Sequence, residues 1–297
     1  SNLFVHRGIL FLMGTDKEHG NLIIRRSEDR GNTWSSPIDS ITGLLRMGEY
    51  HTAPMPVISY RGRIWRAVEC ARSNTDIWGK RYSAMIISAP DSADLLQAAS
   101  WSVTDSLPYD STYLDGKFGA WLEGNAVVTP DGNVADLLRV DYAPGPEYAA
   151  LIRLRDSVSF DPFDPEKDFV RMPGGAKKFT VRYDSLSGRY WSLVNYVTQE
   201  WAGKQNPAWV RNTLALSSSP NLQEWTVHRT VLHHPDIAKH GFQYADWLFD
   251  GNDIVLLSRT AYDDNGTGAH NCHDANYMTF HRIKDFRKAL TEQAGNR

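Results

Sequence analysis

The chain has 297 residues, 23% of them charged and 41% hydrophobic, a make-up that supports a folded core. Its formal net charge of −3, with no basic run, excludes nucleic acid as an expected partner. No apolar stretch reaches the ~18 residues needed to span a bilayer, so no membrane span is expected.

Taken in chain order, the sequence repeats one pattern. Arg7-Gly8, Arg61-Gly62, Asp131-Gly132, Ser187-Gly188 and Asp250-Gly251 each divide two strand-like runs, as hairpin turns do. The second run is apolar each time, at 9–13, 64–68, 134–140, 190–194 and 254–257. Third runs follow at 21–26, 83–88, 149–155, 213–217 and 277–282. The turn glycines fall 54, 70, 56 and 63 positions apart, the scale of a four-stranded antiparallel blade. This predicts an all-β fold, a single β-propeller domain over 1–297 with five recognisable blades. The fifth repeat has no clear outer strand and ends in a short polar helical tail, and the first begins abruptly. A missing N-terminal blade or closing strand would account for both. Ten Trp, thirteen Tyr and eleven Phe fit blade-to-blade packing, with a minority left to stack on sugar rings.

After the first third-strand run stands Ser27-Glu28-Asp29-Arg30-Gly31-Asn32-Thr33-Trp34. It predicts a tight turn in which the Asp accepts backbone and hydroxyl hydrogen bonds, the Gly takes a left-handed backbone and the Trp plugs the turn onto the sheet. Ser88-Ala89-Pro90-Asp91 before Trp101, and Ser218-Ser219-Pro220-Asn221 before Trp225, read as decayed versions, and the third repeat has lost the turn.

Chain direction locates the candidate site. Strand one runs to the Gly turn and strand two runs back, so strand-one starts and strand-two ends share one rim, opposite the Asp turn. Strand-one starts bring His51, Glu123, Asn125, Lys177, Lys178, Tyr244 and Asp246 to that rim. Strand-two ends bring Glu69, Arg139, Asp141, Asn195, Arg259 and Tyr262. Glu69, Arg139 and Asn195 each lie seven residues after their turn glycine, and Arg259 eight. Strand alternation predicts Glu123 with Asn125, and Tyr244 with Asp246, on common faces. An acid inside Trp121-Leu122-Glu123-Gly124-Asn125-Ala126-Val127 is costly to bury unpaired, which argues for function. Asp141 is placed to pair with Arg139 on the same face. The run Ala269 to Tyr277, with His270, Cys272, His273 and Asp274, reads as a hydrogen-bonded rim loop rather than a metal site, and His233-His234 as a solvated pair. No metal or other cofactor is expected. Cys70 and Cys272 would pair if adjacent, and Asn265-Gly266-Thr267 reads as a chance sequon.

The Ser27–Trp34 segment matches the Asp box, and the chain resembles the sialidase-like, BNR-repeat β-propellers of Bacteroidetes. His51-Thr52-Ala53-Pro54, Trp121-Leu122-Glu123-Gly124-Asn125 and His273-Asp274-Ala275-Asn276-Tyr277 carry that likeness. The resemblance implies a parent fold of six blades, a periplasmic or extracellular setting, and an exo-acting glycoside hydrolase for an acidic sugar, expected as a monomer. It implies Glu123 and Tyr244 as base and nucleophile, and Asp246 or Asp141 as acid. Arg139 and Arg259 would clamp the substrate anion, with His51, Glu69, Asn125, Asn195, Tyr262 and Asp274 also lining the substrate. The sialidase Arg-Ile-Pro motif is absent, so those two arginines stand for at most two of the family's three. A uronic-acid lyase using His51 or Tyr244 as base, and a non-catalytic glycan-binding propeller, are the alternatives.

Overall fold

Residues 1–292 are described in the computed structural model, and among them twenty strands form five antiparallel sheets. The first sheet is β1 (Asn2–His6), β2 (Ile9–Thr15), β3 (Leu22–Ser27) and β4 (Leu44–Arg46), in that order. The second holds β5 (Tyr50–His51), β6 (Ile58–Tyr60), β7 (Arg63–Ala71), β8 (Tyr82–Pro90) and β9 (Ser102–Val103). The third is β10 (Ala120–Val128), β11 (Val134–Asp141), β12 (Tyr148–Arg153) and β13 (Phe169–Arg171). The fourth is β14 (Thr180–Asp184), β15 (Arg189–Asn195), β16 (Thr213–Ser219) and β17 (Thr226–His233). The fifth has β18 (Gly241–Asp250), β19 (Asp253–Ala261) and β20 (Tyr277–Ile283). The fold is an all-β, five-bladed β-propeller.

All five Gly turns join the first two strands of their sheet as the sequence predicts. Arg7 and Gly8 have φ of 50° and 79°, and Arg61 and Gly62 of 48° and 71°. Two successive positive φ values give the turn whose twist matches the flanking strands. β1 belongs with β2 to β4, so the first sheet is complete within its own stretch of chain. In the second sheet, β5 and β6 both pair with β7, and Pro54 and Pro56 lie between them. Proline cannot donate to a ladder, so the first strand is broken there. The fifth sheet lacks a fourth strand among the described residues, and the chain leaves it through Phe286–Lys288 and a helical turn, Ala289–Glu292.

The Asp29 turn holds itself by its own side chains. Thr33 donates its N–H to Asp29 Oδ1 (2.8 Å) and its hydroxyl to Oδ2 (2.6 Å), and Ser27 donates to Oδ1 (2.8 Å). Trp34 Nε1 donates back to the Gly31 carbonyl at 3.1 Å, with Gly31 at φ 96°. The Thr33 hydroxyl and then its N–H hold the Asp29 carboxyl down at about 2. The turn after β16 repeats this with Asn221, which accepts from Gln223 and Glu224, while Trp225 Nε1 donates to Leu222.

By internal contacts the chain forms two compact units, Ser1–Leu138 with Ala150–Asp168, and Arg139–Ala149 with the chain from Phe169 onward. In the first, Phe11, Met13, Leu22 and Ile24 share a buried core with Ile64, Val68, Met85 and Trp101. In the second, Trp191, Leu193 and Leu216 pack with Phe242, Trp247, Leu256 and Phe286. Trp121, Trp191 and Trp247 are almost fully buried, which assigns these three to packing. Cys70 and Cys272 are both buried and free thiols.

Candidate functional site

In the first unit, register brings two predicted residues together. β5 pairs with β7 so that His51 stands opposite Glu69, and their side chains meet with Nδ1 to Oε2 at 3.0 Å. The other Glu69 oxygen accepts the Gly124 N–H at 2.9 Å. The His51 ring lies against His19 (6.0 Å between centroids) and Tyr82 (5.2 Å). Tyr82 in turn shares a 2.6 Å hydrogen bond with His19 Nδ1 and accepts one from Arg81 at 3.1 Å. Burial lowers the His19 pKa, and the charges of His51 and Arg81 add to the effect. Burial raises that of Tyr82.

Beside this couple runs β10. Glu123 is buried and Asn125 fully so, with Asn125 Nδ2 donating to the Leu137 carbonyl at 3.1 Å. Next to them lies an acid that the sequence conceals inside an apolar run. Asp136 on β11 is fully buried, and neither carboxyl oxygen has a hydrogen-bond partner. A Cβ on Gly124 would stand 2.2 Å from Asp136 Oδ1, so the missing side chain there is what makes room for the carboxyl. Burial, reinforced by the Glu69 charge, pushes the Asp136 carboxyl well above the usual range.

In the second unit the predicted residues gather around Tyr244. Gln243 stands opposite Arg259, and Asp246 opposite Leu257, so β18 spends three steps where β19 spends two. Tyr244 lies in that bulge at φ 52°. Glu123, at φ 55°, is the other non-glycine residue with positive φ inside a strand among those described. Such conformations cost roughly 1–3 kcal/mol each and persist where the surroundings impose them, often at functional sites. The Arg259 guanidinium lies 4.9 Å from the Tyr244 ring centre and that of Arg211 5.8 Å. His273 meets the same ring edge-on at 6.1 Å.

This cluster is braced by hydrogen bonds. Arg211 donates to Gln243 Oε1 (2.8 Å) and to the Ala208 carbonyl (3.0 Å). Gln243 Nε2 donates to the carbonyls of Cys272 and His273, and Arg259 donates to His273 O at 3.1 Å. Asn195 is buried, its amide nitrogen shared among the carbonyls of Arg211, Thr213 and Phe242, so it positions the Arg211 segment. Arg139, also buried, donates Nε to Ala176 O at 2.9 Å. Asp274 accepts from Asn271 (2.8 Å) and sits 3.1 Å from His273 Nδ1, which lowers its pKa and orders the 270–274 loop as expected.

Three placements correct the sequence expectations. The bulge at Tyr244 interrupts the strand alternation assumed for Tyr244 and Asp246, and Asp246 lies 3.5 Å from Arg182. Lys177 and Lys178 are buried ties: the former pairs with Glu147, and the latter donates to Thr180 and the Ala245 carbonyl. His234 is no solvated partner of His233; it stacks on His240 beside Tyr262. Asp141 is half-buried at the end of β11. Arg211 went unpredicted. It precedes β16, and a strand-three start returns to the same rim as a strand-two end, so chain direction carried the signal.

No family model matches the chain, and no curated protein matches it in sequence. Solved structures do match in fold. A family 117 glycoside hydrolase from the marine bacterium Zobellia galactanivorans aligns over 96% of this chain and 83% of its own, with TM-score 0.50 and 11% identity. An alpha-L-arabinofuranosidase from Lactobacillus brevis aligns over 95% and 89%, with TM-score 0.54 and 10% identity. A sialidase of Trypanosoma rangeli aligns over 96% of this chain with TM-score 0.53 and 13% identity, this chain spanning 46% of its length. At such identities the likeness establishes a shared propeller fold.

Proposed function

We propose that the protein is an exo-acting glycoside hydrolase whose substrate ends in a carboxylated sugar. The observation that carries this is Tyr244, held at φ 52° in a strand bulge with two guanidinium groups on its ring. A phenol set among cations is suited to attack beside a substrate carboxylate, where a carboxylate nucleophile would be repelled. Arg211 and Arg259, with Arg139, supply the donors for that carboxylate. The glycosidase propellers of like fold, among them a sialidase, are in keeping with this chemistry.

In this mechanism the Tyr244 oxygen bonds to the anomeric carbon as the glycosidic C–O bond breaks. A base takes the phenol proton, the role the sequence resemblance implies for Glu123, an acid protonates the departing oxygen, and water then hydrolyses the tyrosyl–sugar bond. Asp141 is the candidate acid, because Asp246 is engaged with Arg182. Tyr262 and Asp274, in the same unit as Tyr244, are proposed as substrate contacts. Glycans of this kind are met outside the cytoplasm, in keeping with a periplasmic or extracellular enzyme.

A second reading uses the same residues. If Tyr244 removes the C5 proton of a uronate while the arginines neutralise its carboxylate, the outcome is elimination, and the product carries a double bond absorbing in the ultraviolet. Incubation of wild type and Glu123→Gln with acidic and neutral glycans tests both. Release of a saturated acidic sugar by wild type alone supports hydrolysis, an ultraviolet-absorbing product supports elimination, and equal turnover by both proteins removes Glu123 from the mechanism.

A further inference from the structure

Between β17 and β18 the chain reads His234-Pro235-Asp236-Ile237-Ala238-Lys239-His240. The loop folds so that one ligand atom from each of His234, Asp236 and His240 lies within 4.8 Å of the others. His240 is 7% exposed and its Nδ1 contacts Asp236 Oδ2 at 2.7 Å. Its Nε2 is buried without a hydrogen-bond partner, and the nearest carboxylate oxygen, Asp263 Oδ1, lies 3.5 Å away. The turn is rigid: Asp236 also accepts the N–H groups of Ala238 (2.8 Å) and Lys239 (3.1 Å). Tyr262 closes the cluster with its ring 4.9 Å from His240 and 5.4 Å from His234.

We propose that His240 Nε2, His234 and Asp263 bind a divalent transition ion of the zinc type, with Asp236 on the opposite edge of the His240 ring holding it through Nδ1. Two imidazoles and a carboxylate are the donor set such an ion takes, whereas calcium or magnesium prefers oxygen alone. A buried imidazole nitrogen with no partner is an unmet hydrogen-bonding group, and a metal bond satisfies it. The geometry also states what binding must change. The two rings stack 3.5 Å apart at 17°, and stacked rings cannot both aim in-plane lone pairs at one ion. Ligands on a tetrahedral zinc lie about 3.4 Å apart, so the half-buried His234 turns about its Cβ–Cγ bond to close the site, giving up the 3.1 Å bond that its Nδ1 accepts from the Asp236 N–H. The ion would then pin the segment that enters β18, four residues before Tyr244. Its role is structural, and its test needs no substrate.

The test is titration of chelator-treated protein with Zn²⁺ by calorimetry, and with Co²⁺ by visible absorption. The expected result is one ion per chain, bound at micromolar or tighter affinity, with a rise in melting temperature. Asp236→Asn and His234→Gln, which spare the buried His240, should each weaken binding at least tenfold and abolish the melting shift. His270→Ala, in the separate exposed loop, should leave binding unchanged. Absence of stoichiometric binding by folded wild type, wild-type affinity in both cluster variants, or loss of binding in His270→Ala would each overturn the site.

Discussion

The guanidinium of Arg259 lies 4.9 Å from the centre of the Tyr244 ring, and it is anchored there by a 3.1 Å hydrogen bond to the His273 carbonyl. The phenol therefore sits beside a fixed positive charge that a mobile surface arginine would not provide. Arg259→Lys keeps the charge and loses the planar fork. Under the proposed mechanism KM for a carboxylated substrate should rise by about 10–100-fold with a smaller change in kcat, the loss of a charge-assisted bidentate contact. Steady-state kinetics on the two proteins decide it; an unchanged KM would remove Arg259 from substrate binding.

Asp136 should make stability fall as pH rises. Its folded pKa is raised by burial, so below the unfolded value near 3.8 the acid is protonated in both states and carries no penalty. Above that value folding must take up a proton, and the penalty grows by about 1.4 kcal/mol per pH unit until the folded pKa is reached. Asp136→Asn should therefore gain stability over wild type from pH 4 to 7, read as the difference between two urea-unfolding series. A pH-independent difference would mean the carboxyl is ionised in the fold.

Asp184 should act with the opposite sign. Arg287 donates to both its oxygens, at 2.6 and 2.7 Å, and holds its carboxyl down at about 2. That stabilisation is complete above the unfolded value near 3.8 and is lost as pH falls from there through about 2. With solvent screening it amounts to about 1 kcal/mol. Wild type should lose this advantage over Asp184→Asn between pH 4 and 2 in thermal melts, and parallel curves there would contradict the pairing.

Both thiols should be silent in the native protein. Burial pushes Cys70 up to about 11 and raises Cys272 as well, and a thiol is reactive only as thiolate. Ellman's reagent at pH 8 should find no thiol before denaturation and two per chain after it. Rapid labelling of one thiol in the folded protein would show local opening.

Much of the fold is legible because its signals are local. A glycine that must take positive φ, as Gly8 or Gly251 does, marks its hairpin whatever surrounds it. What escapes is set by tertiary context. Strand alternation assumes a period of two, and the bulge between Gln243 and Asp246 adds a residue that no propensity announces. Asp136 hides in an apolar run because its tolerance depends on the space over Gly124, a residue of another strand. His234 and His240 are six positions apart, so neither reads as the other's partner until the loop folds them together. Chain direction puts His51 and Glu69 on one rim, and the β5–β7 register then sets them opposite each other.

The most direct test of the proposed chemistry is turnover by wild type and Tyr244→Phe of a glycan with a terminal carboxylated sugar, beside the same glycan with that carboxyl reduced to an alcohol. Wild type should release the terminal sugar from the acid form alone. Turnover by Tyr244→Phe, which keeps the ring between its arginines, should fall by on the order of 10³-fold or more. Equal turnover of the reduced glycan, or of the acid form by Tyr244→Phe, would contradict it.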